Sequence, residues 1–236
     1  MANHINRQIV QSEDGSHTIY LPELNEHFHS VHGALRESLH VFIDQGFVGL
    51  AGKFPEMAVL EVGLGTGLNC LLTWLFAVEL KVRLHYTALE PFPLTQAEAA
   101  ALNHPALVAG RVARTAGTGG FVKEVFEGIH AGPWETPYCL HPGFDLEKIR
   151  TRVEAFELPS SAYQLIYYDA FGPQAQPGVW EQAVFETMYA GLKPGGLLVT
   201  YSARGSVKRA LKACGFSLEH PPGPKGKREM TRALKP

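Results

Sequence analysis

The sequence feature that most limits the fold is a repeated alternation of apolar, strand-like segments and helical segments that begins at Met57. The segments "MAVLEVG", "VRLHYTALE", "AYQLIYYDA" and "PGGLLVTYSA" are short, apolar and rich in β-branched or aromatic residues, as buried strands are. The helical segments that follow them are "LNCLLTWLFAVEL", "PLTQAEAAALN", "VWEQAVFETMYAGL" and "GSVKRALKACG". This alternation predicts an α/β fold, a mostly parallel sheet with helices on both faces.

The segments on either side of this alternation predict the domain organisation. Residues 1–50 are expected to form an N-terminal elaboration, with a hairpin at "DGSHTIYLPEL" and an amphipathic helix at "GALRESLHVFIDQG". Residues 51–236 are expected to form the main domain, which "FSLEH" and "REMTRAL" close as two short strands. Residues 104–150 are rich in Gly and Pro and predict an insertion without a clear secondary-structure pattern.

The composition excludes several classes of protein. The most apolar stretch, residues 70–78, is about half a membrane span, and the N-terminus lacks the basic-then-apolar layout of a signal peptide. The three cysteines are too few and too widely spaced for a disulfide framework or a zinc site. His27, His29 and His32 lie close together but lack a cysteine or carboxylate at ligand spacing. A cytoplasmic protein with no membrane contact and no metal is therefore expected.

Glycines and acidic residues stand where the predicted strands end. The first strand ends in "EVGLGTGLN", with Glu61 before three glycines, Gly63, Gly65 and Gly67. Glycine lets the backbone turn tightly and approach a ligand. The dinucleotide fingerprint G-x-G-x-x-G requires glycine at Leu68, so the G-x-G-x-G pattern is more typical of S-adenosylmethionine enzymes.

Two further acids follow later strands of the predicted sheet. Glu90 ends the second strand, where a carboxylate can accept both hydroxyls of a ribose. The run "YQLIYY" stops at Asp169, and an aromatic residue and a Gly-Pro turn follow at once. Since ligands bind at the carboxyl ends of the strands in such sheets, these acids predict one common site.

The net charge of −2 conceals an asymmetry along the chain. Residues 1–192 contain 11 Lys/Arg and 21 Asp/Glu, whereas residues 193–236 contain 10 Lys/Arg and two Asp/Glu. A basic end of this kind is either a solvated face or a surface that meets an anionic partner.

Several motifs together resemble the tRNA methyltransferase domain of the MnmC family. They include "EVGLGTGLNCLLTW", "ALEPFPLT", "YYDAFGPQAQPGVW", "LKPGGLLVTYSARGSVKRALKACGF" and "PPGPKGKREM", within a resemblance that spans residues 14–232. The glycine loop is common to methyltransferases of this fold, whereas the Asp-Ala-Phe-Gly-Pro block and the Lys-Arg-Glu-Met end are more specific. The family has a Gly-Asp step before the fourth strand, and here Glu154 is its nearest equivalent, with Val153 in place of glycine.

The resemblance implies a fold, a cofactor and a reaction. The fold would be Rossmann-like, of the class I S-adenosylmethionine-dependent methyltransferases, with a seven-stranded sheet. The enzyme would transfer the methyl group of S-adenosyl-L-methionine to the 5-aminomethyl group of the wobble uridine in a tRNA anticodon, giving 5-methylaminomethyl-(2-thio)uridine. Fused family members also carry a flavin-dependent oxidase, but this chain has no room for one, so no flavin is expected. No obligate protein partner is expected either.

The strand ends and the resemblance together predict three sets of site residues. Asp169 is the expected catalytic residue, since its carboxylate can orient an amine and stabilise the ammonium that forms. The expected cofactor contacts are Glu61, Gly63, Gly65, Gly67, Asn69, Glu90, Pro91 and Glu154. The expected substrate contacts are Phe171, Gly172, Pro173, Ser30 and Gly33, with Lys225, Lys227 and Arg228 on tRNA phosphates. Trp180 is expected to pack in the core.

Three other functions fit parts of the sequence. A polyamine-type aminopropyltransferase shares the fold, the glycine loop and an Asp before Gly-Pro, but does not need the basic end. An NAD oxidoreductase shares the acid at the second strand, although Leu68 replaces its third glycine. A non-catalytic RNA-binding module would use the basic end alone.

Overall fold

The computed structural model describes residues 6–111 and 117–236 of the chain. Residues 1–5 of the expected elaboration and 112–116 of the expected insertion lie outside the described residues.

The N-terminal region contains the expected hairpin and helix. Three short antiparallel strands come first, β1 (Gln8–Gln11), β2 (His17–Leu21) and β3 (Glu26–His27). The helix starts as α1 (Ala34–Ser38), continues through a π-helical segment (Leu39–Phe47) and ends as α2 (Val48–Ala51). This helix packs on the main sheet: the Phe42 ring lies 5.1 Å from the Tyr167 ring.

The main sheet has eight strands among the described residues, one more than the seven expected. Its strands are β4 (Glu56–Val62), β5 (Arg83–Leu89), β6 (Tyr138–His141), β7 (Phe144–Ile149), β8 (Tyr163–Tyr168), β9 (Leu192–Thr200), β10 (Ser217–Glu219) and β11 (Thr231–Leu234). They lie in the order β10-β11-β9-β8-β4-β5-β7-β6. The strands from β9 to β7 are parallel, while β11 and β6 pair antiparallel with their neighbours. The additional strand is β6, which the expected insertion contributes as a hairpin with β7.

Helices connect these strands and cover the sheet. They are α3 (Leu68–Leu80), α4 (Gln96–Ala100), α5 (His104–Arg111), α6 (Thr118–Ala131), α7 (Gln182–Gly191) and α8 (Gly205–Ala213), with α5 and α6 in the expected insertion.

Both faces of the sheet are buried, as the apolar strands require. Alternate residues of β8 belong to different hydrophobic clusters: Leu165 and Tyr167 lie in one, and Ile166 and Tyr168 in the other. A strand covered on both faces has no solvent side, which explains why "YQLIYY" is apolar without alternation.

The strand register places the predicted site residues at one edge of the sheet. Val62 of β4 is paired with Leu89 of β5 and with Tyr168 of β8. Since all three strands are parallel, the next residue of each, Gly63, Glu90 or Asp169, lies at the same carboxyl edge.

Candidate active site

The loop after β4 is built on glycines in the left-handed region of φ. Gly63, Gly65 and Gly67 have φ values of +93°, +51° and +74°. A Cβ atom on Gly63 would lie 2.9 Å from the backbone oxygen of Asp169, and one on Gly65 would lie 3.1 Å from the ring of Phe28. The loop can therefore approach its neighbours this closely only with glycine at these positions.

Glu90 fixes this loop to the end of β5. One carboxylate oxygen accepts a hydrogen bond of 3.0 Å from the backbone N–H of Gly65, and the other accepts one of 2.8 Å from that of Phe92. Burial raises the pKa of Glu90, while these two hydrogen bonds and the charge of Arg7 favour its ionised form. The carboxylate thus lies fixed at the wall of a cavity.

This cavity, which we call the cofactor pocket, has a volume of about 530 Å³, within the range of small-molecule sites. Its wall combines apolar side chains with a few polar groups, as nucleoside sites do. Among the predicted residues, its lining includes Gly63, Gly65, Glu90, Pro91, Glu154 and Asp169. A glycine cradle beside a fixed carboxylate suits the ribose and amino-acid parts of S-adenosyl-L-methionine, so the residues present fit that cofactor.

A second cavity, which we call the acceptor pocket, lies beside the first and has a volume of about 640 Å³. Four carboxylates line it, those of Glu26, Glu37, Asp169 and Glu229. Three cations, Lys227, Arg204 and Arg228, line it as well. The two pockets share Phe28, His29, Asp169, Ala170 and Phe171 in their walls. Asp169 therefore stands where a cofactor in one pocket and an acceptor in the other would meet.

The groups around Asp169 change the pKa of its side chain. Burial, and after it the negative charge of Glu37, raise the pKa of Asp169 to about 7. A hydrogen bond from Asn69 and the positive charge of Lys227 act in the opposite direction and lower this pKa. The side-chain amide of Asn69 donates to Oδ2 of Asp169 at 2.9 Å. Within the described residues no hydrogen bond reaches the other oxygen, Oδ1. Asp169 is thus a carboxyl group that titrates near neutral pH with one oxygen available to a ligand.

Lys227 enters the wall of the acceptor pocket. Its Nζ lies 2.6 Å from Oε1 of Glu37 and 3.8 Å from the centre of the Tyr201 ring. The Glu37 side chain is 7% exposed, and its other oxygen accepts a hydrogen bond of 2.7 Å from the backbone N–H of Ser30. The Tyr201 hydroxyl donates to the backbone oxygen of Ala170 at 2.9 Å.

The cations of the predicted basic end lie in different parts of the structure. Lys225 pairs with Glu13 at 2.6 Å on the exposed surface, and Lys208 of α8 pairs with Glu229 at the same distance. Arg228 lines the acceptor pocket, as Lys227 does. The cations of this segment therefore form both an outer surface and part of the pocket wall.

Other predicted residues lie outside the pocket walls. Glu61 is fully buried beneath the glycine loop, and neither carboxylate oxygen has a geometrically defined hydrogen bond among the described residues. Burial and then the charge of Asp169 raise the pKa of Glu61 well above its usual range, which favours the uncharged form. Gly67 begins α3 against His130, since a Cβ would lie 3.0 Å from Nε2 of that ring. Gly33, with φ of +138°, packs against the side chain of Asp14.

The remaining predicted substrate residues line the acceptor pocket. They are Phe171, Gly172, Pro173 and Ser30. Trp180 is buried as expected, and its indole N–H donates to the backbone oxygen of Phe171 at 2.7 Å. Trp180 thereby holds the backbone that carries the Phe171 ring.

Several lining residues were missed by the sequence analysis. They are Arg7, Leu24, Phe28, Phe92, Arg152 and Gln176 in the cofactor pocket and Glu26, Glu37, Tyr201 and Arg204 in the acceptor pocket. Arg7 reaches from the N-terminal segment to Glu98 at 3.1 Å, beside the loop that follows Glu90. The motif "ALEPFPLT" offered a signal for Phe92, whereas Arg7, Phe28 and Glu37 lie far from the glycine loop in sequence and no local pattern marks them for this contact.

Two further properties of the described residues concern metal binding and the length of apolar helices. Within residues 6–111 and 117–236, no group of three or more His, Cys, Asp or Glu side chains could hold a metal ion. Among the helices described, none is both long and apolar enough to cross a membrane.

Comparison with known proteins shows what the chain is similar to. Residues 145–236 match a family model described as S-adenosyl-L-methionine-dependent methyltransferase. The chain is 30% identical over 229 residues to the tRNA 5-methylaminomethyl-2-thiouridine biosynthesis bifunctional protein MnmC of Cupriavidus metallidurans, an alignment that covers 95% of this chain and 33% of that protein. The chain is therefore similar to S-adenosyl-L-methionine-dependent methyltransferases over residues 145–236 and to MnmC proteins over most of its length.

A further MnmC protein shows the same similarity. MnmC of Aromatoleum aromaticum is 32% identical over 222 residues, which cover 87% of this chain and 32% of that protein. The methyltransferase thus spans about a third of the length of the curated relatives it matches.

Solved structures confirm the Rossmann-like fold of the methyltransferase. The crystal structure of MNMC2 from Aquifex aeolicus superposes with a TM-score of 0.76 at 22% identity, covering 98% of this chain and 71% of that one. Spermidine synthase from Thermotoga maritima superposes with a TM-score of 0.54 at 12% identity, covering 97% of this chain and 71% of that one. At these identities the two structures show a common fold.

Proposed function

We propose that this methyltransferase transfers a methyl group to the 5-aminomethyl nitrogen of a wobble uridine in tRNA. The observation that carries the proposal is the placement of Asp169 in the common wall of the cofactor and acceptor pockets. The names of the relatives place them in 5-methylaminomethyl-2-thiouridine biosynthesis in tRNA, which supports this choice of acceptor.

Glu90 and the glycine loop are the proposed cofactor contacts. The Glu90 carboxylate would accept the ribose hydroxyls, and Gly63 and Gly65 would lie under the methionine part. Pro91 and Glu154 line the same pocket and would flank the nucleoside. Glu61, Gly67 and Asn69 would support this site from behind the lining. When bound, S-adenosyl-L-methionine supplies an electrophilic methyl group on a sulfonium, which leaves a neutral thioether after transfer.

Asp169 would orient the acceptor nitrogen. A primary alkylamine resembles lysine, with a pKa of about 10.4, so its nucleophilic neutral form is scarce at neutral pH. In its ionised form Asp169 can accept an N–H hydrogen bond, direct the nitrogen lone pair at the methyl group and stabilise the ammonium that forms. The secondary ammonium that forms then releases one proton to solvent and becomes the secondary amine.

The acceptor pocket would hold the uracil ring. Phe171 offers a flat face on which a flipped base can stack, and Gly172 and Pro173 continue the same wall. Ser30 lines the same pocket, and the backbone N–H of Gly33 donates to the backbone oxygen of Ser30 in the turn that follows it. Glu26, whose pKa burial raises, is a further carboxyl group in the wall that would attract a cationic amine.

The tRNA backbone would bind around the mouth of the acceptor pocket. Arg228 and Arg204 lie in its wall, and Lys225 lies on the exposed surface of the same terminal segment. Phosphate contacts of this kind supply affinity and position rather than chemistry. The anticodon region is the proposed contact of these residues, with no partner protein needed.

Mass spectrometry of methylated nucleosides would test this function. Purified protein, S-adenosyl-L-methionine and tRNA that carries 5-aminomethyluridine are expected to yield 5-methylaminomethyluridine, and Asp169→Asn is the matched control. Aminopropyl transfer to a small diamine from decarboxylated S-adenosyl-L-methionine, with no tRNA product, would assign the polyamine reaction instead. Calorimetry that shows tRNA binding without cofactor binding would assign a non-catalytic RNA-binding module.

A further inference from the structure

The Glu37–Lys227 ion pair lies in the wall of the acceptor pocket. Its position therefore differs from that of a cation on the outer surface that binds phosphate. Its two residues are 190 positions apart in sequence, and they meet at 2.6 Å in the wall of the acceptor pocket. Glu37 is almost fully buried, and Lys227 is 33% exposed. Since the lysine already binds a buried carboxylate and lies over the Tyr201 ring, it is held inside the wall and is not free to follow a phosphate backbone.

Two other contacts fix the geometry of the pair. The backbone N–H of Ser30 donates to the second oxygen of Glu37, which prevents that carboxylate from rotating. The Tyr201 ring beneath Lys227 is held by its hydroxyl, which donates to the backbone oxygen of Ala170, the residue after Asp169. The ion pair is thereby tied to the segment that carries Asp169.

We propose that the Glu37–Lys227 pair is a positioning device that sets the charge of Asp169, so that Lys227 acts on the reaction through Asp169 and not through tRNA phosphates. The charges of both members act on Asp169 in opposite directions: Glu37 disfavours its ionised form and Lys227 favours it. With Lys227 in place, the buried charge of Glu37 is balanced, and Asp169 can ionise near neutral pH.

Other groups also face Asp169, and each acts differently from the pair. They are Glu61 on β4, Asn69 on α3, Glu26 on β3, His29 after β3, Tyr201 after β9, Glu229 before β11 and the pocket cations Arg204 and Arg228. Burial lowers the pKa of His29 to about 4, so this ring is uncharged at neutral pH, and Glu229 is paired with Lys208. Burial and then the charge of Asp169 raise the pKa of Glu61 well above its usual range, which favours the uncharged form, and Asn69 is an uncharged donor. Tyr201 is also uncharged, because burial raises its pKa well above the usual range. Glu37 and Lys227 are the charged side chains whose effects on Asp169 the structure resolves.

A direct titration of Asp169 tests the proposal. The chain has only four aspartates, Asp14, Asp44, Asp145 and Asp169, so aspartate labelled with ¹³C at the side-chain carboxyl gives four resolvable NMR signals. The signal of Asp169 is assigned by its loss in Asp169→Asn. Lys227→Met is expected to move the titration midpoint of this signal up by about one pH unit, and Glu37→Gln is expected to move it down by a similar amount.

Two further variants separate charge from shape. Lys227→Arg keeps the positive charge and is expected to leave the midpoint near that of the unmodified protein. The double variant Lys227→Met with Glu37→Gln removes both charges and is expected to bring the midpoint back towards the original value. If Lys227→Met does not fold, the proposal is tested by comparing Glu37→Gln, which removes a charge, with Lys227→Arg, which keeps one. Midpoints that stay in place in Glu37→Gln and in every folded Lys227 variant would overturn the proposal.

The inference rests on the proposed function only for the identity of the acceptor. The titration is done on the free protein without tRNA or cofactor, so it succeeds or fails independently of tRNA methylation. In the methyl-transfer assay, the acidic limb of the pH–rate profile is expected to follow the NMR midpoint in each variant. If a Lys227 variant instead raises KM for tRNA and leaves the acidic limb of the pH–rate profile in place, Lys227 is a substrate contact.

Discussion

The side-chain amide of Asn69 donates a hydrogen bond of 2.9 Å to Oδ2 of Asp169, which lies 100 positions later in the sequence. Asn69 is at the start of α3, directly after the glycine loop, and it is buried. The hydrogen bond joins the loop proposed to hold the cofactor to the carboxylate proposed to orient the acceptor. It also leaves Oδ1 of Asp169 as the oxygen that faces a ligand.

Removing this hydrogen bond should move the pH dependence of methyl transfer. Asn69→Ala takes away a donor that favours the ionised form of Asp169, so the pKa of Asp169 is expected to rise above its value of about 7. The acidic limb of the pH–rate profile should therefore move to higher pH, with a rate loss at pH 7 that is partly recovered at pH ~8.5. Gln182→Ala, on the exposed surface of α7, is the matched control and should leave the profile in place. An unchanged limb in Asn69→Ala would mean that the hydrogen bond does not govern Asp169.

Replacing the carboxylate itself should abolish most of the reaction. Asp169→Asn is nearly isosteric and should preserve the fold and most of the cofactor affinity. It cannot supply the negative charge that stabilises the ammonium, so kcat is expected to fall by about 10²–10³-fold. Single-turnover kinetics at saturating cofactor measure this loss. Turnover close to that of the unmodified protein would restrict Asp169 to a structural role.

The edge of the sheet was predictable from the sequence because parallel strands end together. Gly63, Glu90 and Asp169 each follow an apolar run, and the register of β4, β5 and β8 brings them to one edge. The partners from the N-terminal segment were not predictable in this way. Arg7, Phe28 and Glu37 reach the pockets through tertiary packing, and no local periodicity marks a residue for such a contact.

Lys227 shows why a local reading of the basic end was incomplete. A lysine in a loop rich in Pro and Gly was interpreted as a surface cation, because such loops usually run over the surface. The structure places it on a buried carboxylate 190 positions away, which no pattern within the loop could indicate. Its neighbour in the motif, Lys225, does lie on the exposed surface, 2.6 Å from Glu13.

Cofactor affinity should depend on Glu90. Glu90→Ala would leave two ribose hydroxyls without a partner and release the backbone N–H groups of Gly65 and Phe92. Binding of S-adenosyl-L-methionine, measured by isothermal titration calorimetry, is expected to weaken by about 1–3 kcal/mol. Glu127→Ala is a suitable comparison, since Glu127 lies on the exposed surface of α6 in a pair with Lys123 and does not line the pocket. Equal affinities in the two variants would remove Glu90 from the cofactor site.

Buried histidines should make the fold sensitive to acid. Burial lowers the pKa of His29 and that of His130 to about 4, and it lowers the pKa of His104 well below its usual range. The unfolded chain takes up protons at these side chains from pH ~6.5 downwards, but the folded chain does not until pH falls much further. The free energy of unfolding should therefore fall as pH drops below ~6.5, by up to about 2 kcal/mol at pH 5 for each of His29 and His130.

Urea unfolding between pH 5 and pH 7.5 measures this dependence. Neither ring nitrogen of His104 has a hydrogen-bond partner among the described residues, so His104→Leu removes two buried, unsatisfied polar atoms. This variant should be at least as stable at pH 7.5 and should lose less stability on acidification. His220→Gln, at an exposed position, should follow the curve of the unmodified protein. A loss of stability in His104→Leu as steep as in the unmodified chain would exclude this histidine as a source of acid sensitivity.

The affinity for tRNA should depend on the outer cations of the terminal segment and on salt. Lys225→Ala together with Arg228→Ala removes two proposed phosphate-binding side chains. KM for tRNA should rise while cofactor affinity stays the same. The affinity of the unmodified protein should fall with rising salt, and the double variant should show a shallower logarithmic slope, by about 0.7–0.9 for each phosphate that is no longer neutralised. Lys123→Ala, in the exposed pair with Glu127 on α6, is the matched control. Equal KM values and salt slopes in all three proteins would make the basic end a solvated face and require tRNA to dock elsewhere.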